Sequence, residues 1–246
     1  MASKVLLYKY CKLPDSQYWE AMLSKVKFSK LSFLNDPFEG FLKVRDESGN
    51  VIDQVPDDTC VASFSMVKPY SSVKKDRDKK TDDVIESNIY MWSHYADSLN
   101  GICIEYEVIE KNHKGIKAKE VKYITKHTEE ISPFLKYKSW EFEKEYRLSI
   151  SCKEKGKSEE YKENSEAGLK IKRIFIGVRL LGKDKKHKGT TINKKMQNLP
   201  VVIYLHKKYP HIPLYVCARH KSSFKIIKKE NQIWDKKEKS KQRIRN

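Results

Sequence analysis

The chain of 246 residues is 39% hydrophobic and 34% charged, with 51 Lys and Arg against 33 Asp and Glu, a formal net charge of +18. A chain this long buries roughly 70% or more of its unfolded surface, so this apolar content suffices for one core. That core argues against wholesale disorder, and with only 9 Gly and 8 Pro collagen-like and low-complexity architectures are excluded. The positive balance favours anionic partners, nucleic acid or an acidic protein, although the excess of Lys over Arg is also what a Lys-rich proteome produces.

No apolar run reaches the roughly 18 residues of a membrane span. The first residues, Met-Ala-Ser-Lys-Val-Leu-Leu-Tyr-Lys-Tyr, are too polar for a signal peptide, so the expected setting is the cytoplasm, without a membrane. The cysteines, Cys11, Cys60, Cys103, Cys152 and Cys217, are odd in number and contain no Cys-x-x-Cys pair, which argues against a zinc knuckle. Cys60, Cys103 and Cys217 lie in apolar strand-like runs and are expected as reduced thiols packing like small hydrophobes, as in a reducing compartment.

In chain order, a strand is expected over 5–10. A helix follows, with Asp15 or Ser16 as cap and Tyr18, Trp19, Met22, Leu23 and Val26 at helical spacing. Residues 28–34 read as strand or turn, and 60–65 as a short strand. A polar loop over 68–83 enters a helix carrying Val84, Ile85, Ile89, Met91 and Trp92, which ends near Asn100-Gly101. The run 102–108 alternates, with Ile102, Ile104 and Tyr106 on one face and Cys103, Glu105 and Glu107 on the other. Further strands are expected over 121–124, 146–150, 171–178, 201–205, 214–218 and 224–227. A helix fits 129–138, a charged hairpin or loop 151–168, and a loop with Gly182 and Gly189 follows the 171–178 strand. Helices and strands mix without regular alternation. This gives an α+β fold with a mixed or split β-sheet core and flanking helices, in a single domain over 1–227. Residues 228–246 form a basic C-terminal tail, anchored mainly by Trp234.

No Walker loop, Gly-x-Gly-x-x-Gly, His-Glu-x-x-His or Gly-x-Ser-x-Gly is present. Three polar clusters remain. In 32–40, Asn35, Asp36 and Glu39 either shape a tight turn or point into a cleft. In 91–97, Trp92 reads as core, whereas His94 and Tyr95 can stack on or bond a planar ligand. In 138–147, an extended 141–145 would put Glu141, Glu143 and Glu145 on one face, raising one another's pKa unless Lys138, Lys144 or Arg147 intervenes. Glu145 and Arg147 adjoin the apolar Leu148-Ser149-Ile150 run, where a charged pair needs a reason.

Taken in order, Tyr8-Lys9-Tyr10, Asn35-Asp36-Pro37-Phe38-Glu39, Ser63-Phe64-Ser65, Met91-Trp92-Ser93-His94-Tyr95-Ala96 with the following Gly101-Ile102-Cys103-Ile104-Glu105-Tyr106, Val121-Lys122-Tyr123, Trp140-x-x-Glu143-x-Glu145-Tyr146-Arg147 and Ile174-Phe175-Ile176-Gly177 carry a resemblance. From about residue 5 to 227 the chain resembles the bacterial family called domain of unknown function 2971, whose members are similar to accessory or effector proteins of mobile elements and phage-defence neighbourhoods. The layout also resembles, more distantly, toxin-type ADP-ribosyltransferases. That likeness implies NAD as substrate and no metal. Glu145, or Glu143 in its place, would stabilise an oxocarbenium-like transition state by its charge. His94 and Tyr95, with Trp92, would hold the nicotinamide, and Asn35 and Asp36 would support the ribose. Arg147 would contact a phosphate. Where that family places a His or Arg on its first strand this chain has neither, and Lys9 and Tyr10 are the polar choices there. Two other readings share the basic charge: a Mg²⁺-dependent nuclease with Asp36, Glu39, Glu143 and Glu145 as ligands, and a non-catalytic module binding nucleic acid or nucleotides.

Overall fold

The computed structural model describes residues 5–36, 42–45, 48, 50–54, 59–68, 82–109, 115–125, 132–152, 157–182, 190–219, 226–228 and 233. The fold is α+β with mixed strand pairing. Its contacts divide it into two compact units, Met1–Leu7 with Tyr18–Met66 and Val108–Lys170, and Tyr8–Gln17 with Val67–Glu107 and Ile171–Asn246. Strands are described with the unit that holds most of their residues. Among the described residues, no helix is long and apolar enough to cross a membrane.

The first unit is built on antiparallel strands. β2 (Lys25–Lys30), β5 (Thr59–Ser65), β7 (Lys117–Glu120), β10 (Glu145–Ser151) and β11 (Glu159–Glu163) pair in the order β11-β2-β5-β10-β7. β2 alternates cleanly: Val26 and Phe28 point inward, whereas Lys25 and Lys27 point outward to ion pairs with Glu163 and Glu159 of β11. That is the period-two pattern of a strand with one wet face. β5 and β10 are buried along nearly their whole length. α1 (Trp19–Ser24) precedes β2; a hairpin of β3 (Leu42–Arg45) and β4 (Val51–Gln54) and a parallel pair of β8 (Lys122–Ile124) and β9 (Leu135–Tyr137) complete the unit.

In the second unit the order is β1 (Leu6–Cys11), β6 (Ile102–Val108), β12 (Leu169–Gly177), β13 (Leu214–Arg219) and β14 (Ile226–Lys228). β12 and β13 run parallel, β13 and β14 antiparallel. Among the described residues, three α-helices belong here: α2 (Asp82–Tyr95), α3 (Thr190–Gln197) and α4 (Pro200–Lys208). Ile102, Ile104, Ile174, Ile176, Val216, Trp92, Met196, Val202 and Leu205 are core. β6 is inside on both faces, since Glu105 and Glu107 are buried as well as Ile104 and Tyr106. The acids are neutralised from β12: Arg173 grips Glu105 with Nε at 2.7 Å from Oε1 and Nη2 on Oε2, and Lys172 Nζ lies 3.0 Å from Glu107 Oε2. One ladder of cations and rings crosses the strands, from Arg173 over Phe175 (5.6 Å) through the stacked Phe175–Tyr215 pair (5.8 Å) to Lys228 over Tyr215 (4.4 Å).

Several expectations are corrected. The strand expected over 201–205 is α4. Pro200 stands at its first helical position, where the fixed φ suits a helix and no amide is needed, and Val201, Val202 and Leu205 form its buried stripe. β-branched composition had suggested a strand; packing overrides it. The helix expected over 129–138 is absent where it is described. Ser132, Pro133 and Phe134 form a turn closed by Leu135 N donating to Ser132 O (3.2 Å), and Leu135–Tyr137 is β9. Val26 belongs to β2, not to the first helix. Residues 141–145 are not extended: Lys138–Glu143 is a 3-10 turn, and Lys144 is left-handed at φ 45° before β10 begins. Cys60 is not a reduced thiol but is bridged to Cys152. Cys60 stands opposite Ile150 on β10. Cys152, two residues on, shares that face of the neighbouring strand, a diagonal position within reach, with Cα atoms 5.6 Å apart.

Candidate functional site

Four charged side chains of the first unit converge in its buried interior. β9 brings Lys136, the 3-10 turn brings Glu143, and β10 brings Glu145 and Arg147; all four side chains are under 5% exposed. Lys136 Nζ donates to Glu143 Oε2 at 2.6 Å and to Glu145 Oε2 at 3.3 Å. Arg147 clasps Glu145 with two parallel bonds, Nε to Oε1 at 2.7 Å and Nη2 to Oε2 at 3.0 Å, and its Nη1 donates to Pro133 O at 2.7 Å. The left-handed Lys144 makes this possible, because it turns the chain so that Glu143 and Glu145 meet the same ammonium while Glu141 faces outward to Lys138 and Lys144.

The surroundings fix the group. Ser65 Oγ donates to Glu143 O at 2.6 Å, Glu145 N donates to the Tyr123 hydroxyl at 2.7 Å, and the Trp140 ring lies 4.8 Å from Lys136 Nζ. Burial pushes the Glu145 carboxyl upward, but Arg147, then Lys136, together with hydrogen bonds from Arg147 and Ser63, outweigh it and lower it to about 2. Burial likewise pushes the Tyr123 phenol well above its ordinary range. Two cations and two carboxylates balance one another within the quartet, and each carboxylate already has a donor. Ser63, Ser65 and Tyr123 stand among the ordered motifs of the sequence. Lys136 was missed, because a helical reading of 129–138 left it without a partner.

The other expected site residues fall as follows. Tyr10 and Trp92 belong to the second unit and meet there, edge to face at 5.6 Å, with the Tyr10 hydroxyl donating to Val67 O at 3.0 Å. Both are buried. His94 is exposed and Tyr95 half-buried at the end of α2, with His94 stacked on Tyr90 at 6.4 Å and 24°. Past α2 the chain turns left-handed through Asp97, Ser98 and Leu99 (φ 46°, 53° and 74°). Gly101 N donates to Ala96 O (2.9 Å) and Arg179 Nη1 to Ser98 O (3.1 Å), holding the turn. In the first unit Asn35 is exposed and Asp36 buried, and 37–40, including Glu39, lies outside the described residues. Among the described residues no group of three or more His, Cys, Asp or Glu is arranged to hold a metal ion.

A second feature concerns charge rather than a cluster. The first unit holds 21 Lys and Arg against 20 Asp and Glu, the second 30 against 13. The imbalance is concentrated further: residues 171–246 carry 22 basic and 4 acidic residues, and residues 1–170 carry 29 of each. Among the described residues of 171–246 there are nine Lys and Arg and no Asp or Glu. Lys194 and Lys195 close α3, and His206, Lys207 and Lys208 close α4, where the helix dipole favours positive charge. Lys194, Lys195, Lys207, Lys208 and Arg219 are exposed. The signal was present in the sequence as a sharp change of charge balance at about residue 171. Comparisons with protein-family models, curated proteins and solved structures found no match.

Proposed function

We propose that this chain binds nucleic acid through the basic surface of its second unit. The observation that carries the reading is the segregation of charge. A proteome-wide preference for Lys would spread the excess along the chain, but residues 1–170 are balanced and residues 171–246 hold 22 cations against 4 acids. A surface rich in one sign of charge attracts the phosphate backbone by counterion release, and two buried acids of the same unit, Glu105 and Glu107, are already paired with Arg173 and Lys172. Binding of a fluorescent oligonucleotide to a Lys194→Ala, Lys195→Ala, Lys207→Ala variant tests it. Affinity at low salt should fall at least tenfold, and an unchanged affinity would remove α3 and α4 from the interface.

One observation favours a catalytic function in addition, an NAD-consuming transferase of the ADP-ribosyltransferase type acting on the bound nucleic acid. Against the push of burial, Arg147 and Lys136 hold the Glu145 carboxyl low, at about 2, which favours the charged state that stabilising a developing positive charge requires. In this reading Arg147 must release Glu145 when NAD arrives and pass to its pyrophosphate. Nicotinamide release from NAD, with and without nucleic acid, is the assay, and its absence under both conditions leaves the binding function alone.

A further inference from the structure

The bridge from Cys60 to Cys152 belongs to the first unit, and its two ends differ. Cys60 lies inside β5 and is 1% exposed, whereas Cys152 directly follows β10 and is half-buried. A disulfide opens when a thiolate attacks one sulfur and expels the other, and access decides which sulfur is attacked. Here access selects Cys152, so Cys60 is the leaving thiolate. Lys30 stands directly across from Cys60 on β2 and is buried. Cross-strand partners share a face, so a cation is set on the side where that thiolate forms, which favours its departure. Cys60 also pairs with Ile150 of β10, and Lys30 N donates to Ser158 O at 3.0 Å. Cys152 and Ser158, at the two ends of the connection from β10 to β11, are thus tied to the same rung, one by a covalent bond and one by a hydrogen bond. The free cysteines Cys11, Cys103 and Cys217 belong to the second unit. Burial pushes their thiols above the ordinary range, which leaves little thiolate to react.

We propose that Cys152 is a site of thiol–disulfide exchange with a low-molecular-weight thiol of the glutathione type, and that Cys60 is its resolving partner. The incoming thiolate bonds to Cys152 Sγ, the bond to Cys60 breaks, and its electron pair leaves on Cys60. The mixed disulfide then has two exits. Cys60 attacks Cys152 Sγ, which restores the bridge and releases the small thiolate. Alternatively a second small thiolate attacks the outer sulfur, which releases the oxidised small disulfide and leaves two free cysteines. In the second case two small thiols supply the two electrons that reduce the bridge. The pairing of β5 and β10, from Glu145 opposite Ser65 to Ser151 opposite Thr59, holds the strands in register while the sulfurs exchange. The more ordinary role of a bridge is structural, and a bridge of that kind resists reduction by glutathione.

The test exposes the full, folded, oxidised chain to graded ratios of reduced to oxidised glutathione without denaturant. N-ethylmaleimide then traps free thiols, peptide mass mapping locates both adducts, and circular dichroism verifies folding. At intermediate ratios glutathione should be found on Cys152, with Cys60 alkylated in the same molecules and Cys11, Cys103 and Cys217 free of glutathione. Reduction should proceed at the same rate in low urea as in its absence, because direct attack on Cys152 needs no unfolding. Once free glutathione is removed, the parent should shed its adduct and regain the bridge, whereas Cys60→Ala, loaded on Cys152 from oxidised glutathione, should keep it. Glutathione found on Cys60, or a bridge that opens only at the rate at which urea unfolds the chain, overturns the proposal. So does an adduct that the parent retains as long as the variant does. The parent measurements stand by themselves should Cys60→Ala fail to fold.

Discussion

At the residue scale, Glu145 is where the sequence raised a question that geometry answers. A Glu and an Arg beside an apolar run needed a reason, and the reason is mutual: Arg147 clasps Glu145 with two bonds and Lys136 joins it to Glu143. The rise expected of crowded carboxylates does not occur at Glu145, because cations intervene and hold it at about 2. A carboxyl whose folded pKa is depressed contributes stability that is complete above its unfolded value, about 4.3, and is lost as pH falls through the folded one. Thermal unfolding followed from pH 7 downward should therefore show a fall between about pH 4.5 and 2 that is absent in Glu145→Gln. At pH 7 Glu145→Gln should itself cost about 3–5 kcal/mol, since it strands part of a buried cation pair. Nucleic-acid affinity of the folded fraction should stay unchanged. Gly177 makes a second case. A Cβ there would drive into the Leu99 carbonyl of the left-handed turn, so Gly177→Ala should destabilise by about 1–3 kcal/mol or more in denaturant titration. The sequence marks this glycine as the end of Ile-Phe-Ile-Gly; it does not say what approaches it.

At the element scale, strands with a clear period or a continuous apolar run were legible: β1, β5, β6, β10, β12 and β13 lie within two residues of expectation. The elements that were misread are those whose packing contradicts local composition. Val201, Val202 and Ile203 look like a strand and form a helix, because Pro200 starts it and three side chains spaced along one face reach the core. Lys136 was hidden in an expected helix, so three members of the quartet were legible, Glu143, Glu145 and Arg147, and the fourth was not. The bridge from Cys60 to Cys152 was missed because the two lie 92 residues apart and spacing alone gives no pairing. It ties β5 to the end of β10, the two strands that frame the quartet. Closing so long a loop typically contributes about 2–4 kcal/mol, so Cys152→Ser should lower the stability by that amount in urea titration under non-reducing conditions, and reductant should do the same to the parent protein.

At the scale of the whole molecule, the total charge of +18 is a pointer to anionic partners, but a total cannot reveal where charge resides. The balance changes at about residue 171, and the units divide the excess as one net positive charge against seventeen. The tail was expected to be anchored mainly by Trp234, which lies outside the described residues; the neighbouring Ile233 is buried, with its amide donating to Leu214 O at 2.8 Å and its carbonyl accepting from Gln197 Nε2 at 2.7 Å. Deleting 235–246 should therefore leave the melting temperature within a few degrees of the parent while weakening nucleic-acid retention at low salt, since the deleted stretch carries six basic residues and two acidic ones.

The most direct test of the central claim is the slope of log affinity against log salt for a single-stranded oligonucleotide, measured on the parent and two triple variants. One lacks Lys194, Lys195 and Lys207 of the second unit. The other lacks Lys117, Lys119 and Lys122, which are equally exposed on the first unit. Each phosphate contact removed lowers a single-strand slope by about 0.7. A surface confined to the second unit predicts a slope reduced by about 2 in the first variant and unchanged in the second. Equal reductions in both would mean that the charge acts diffusely over the whole protein, and would contradict the account.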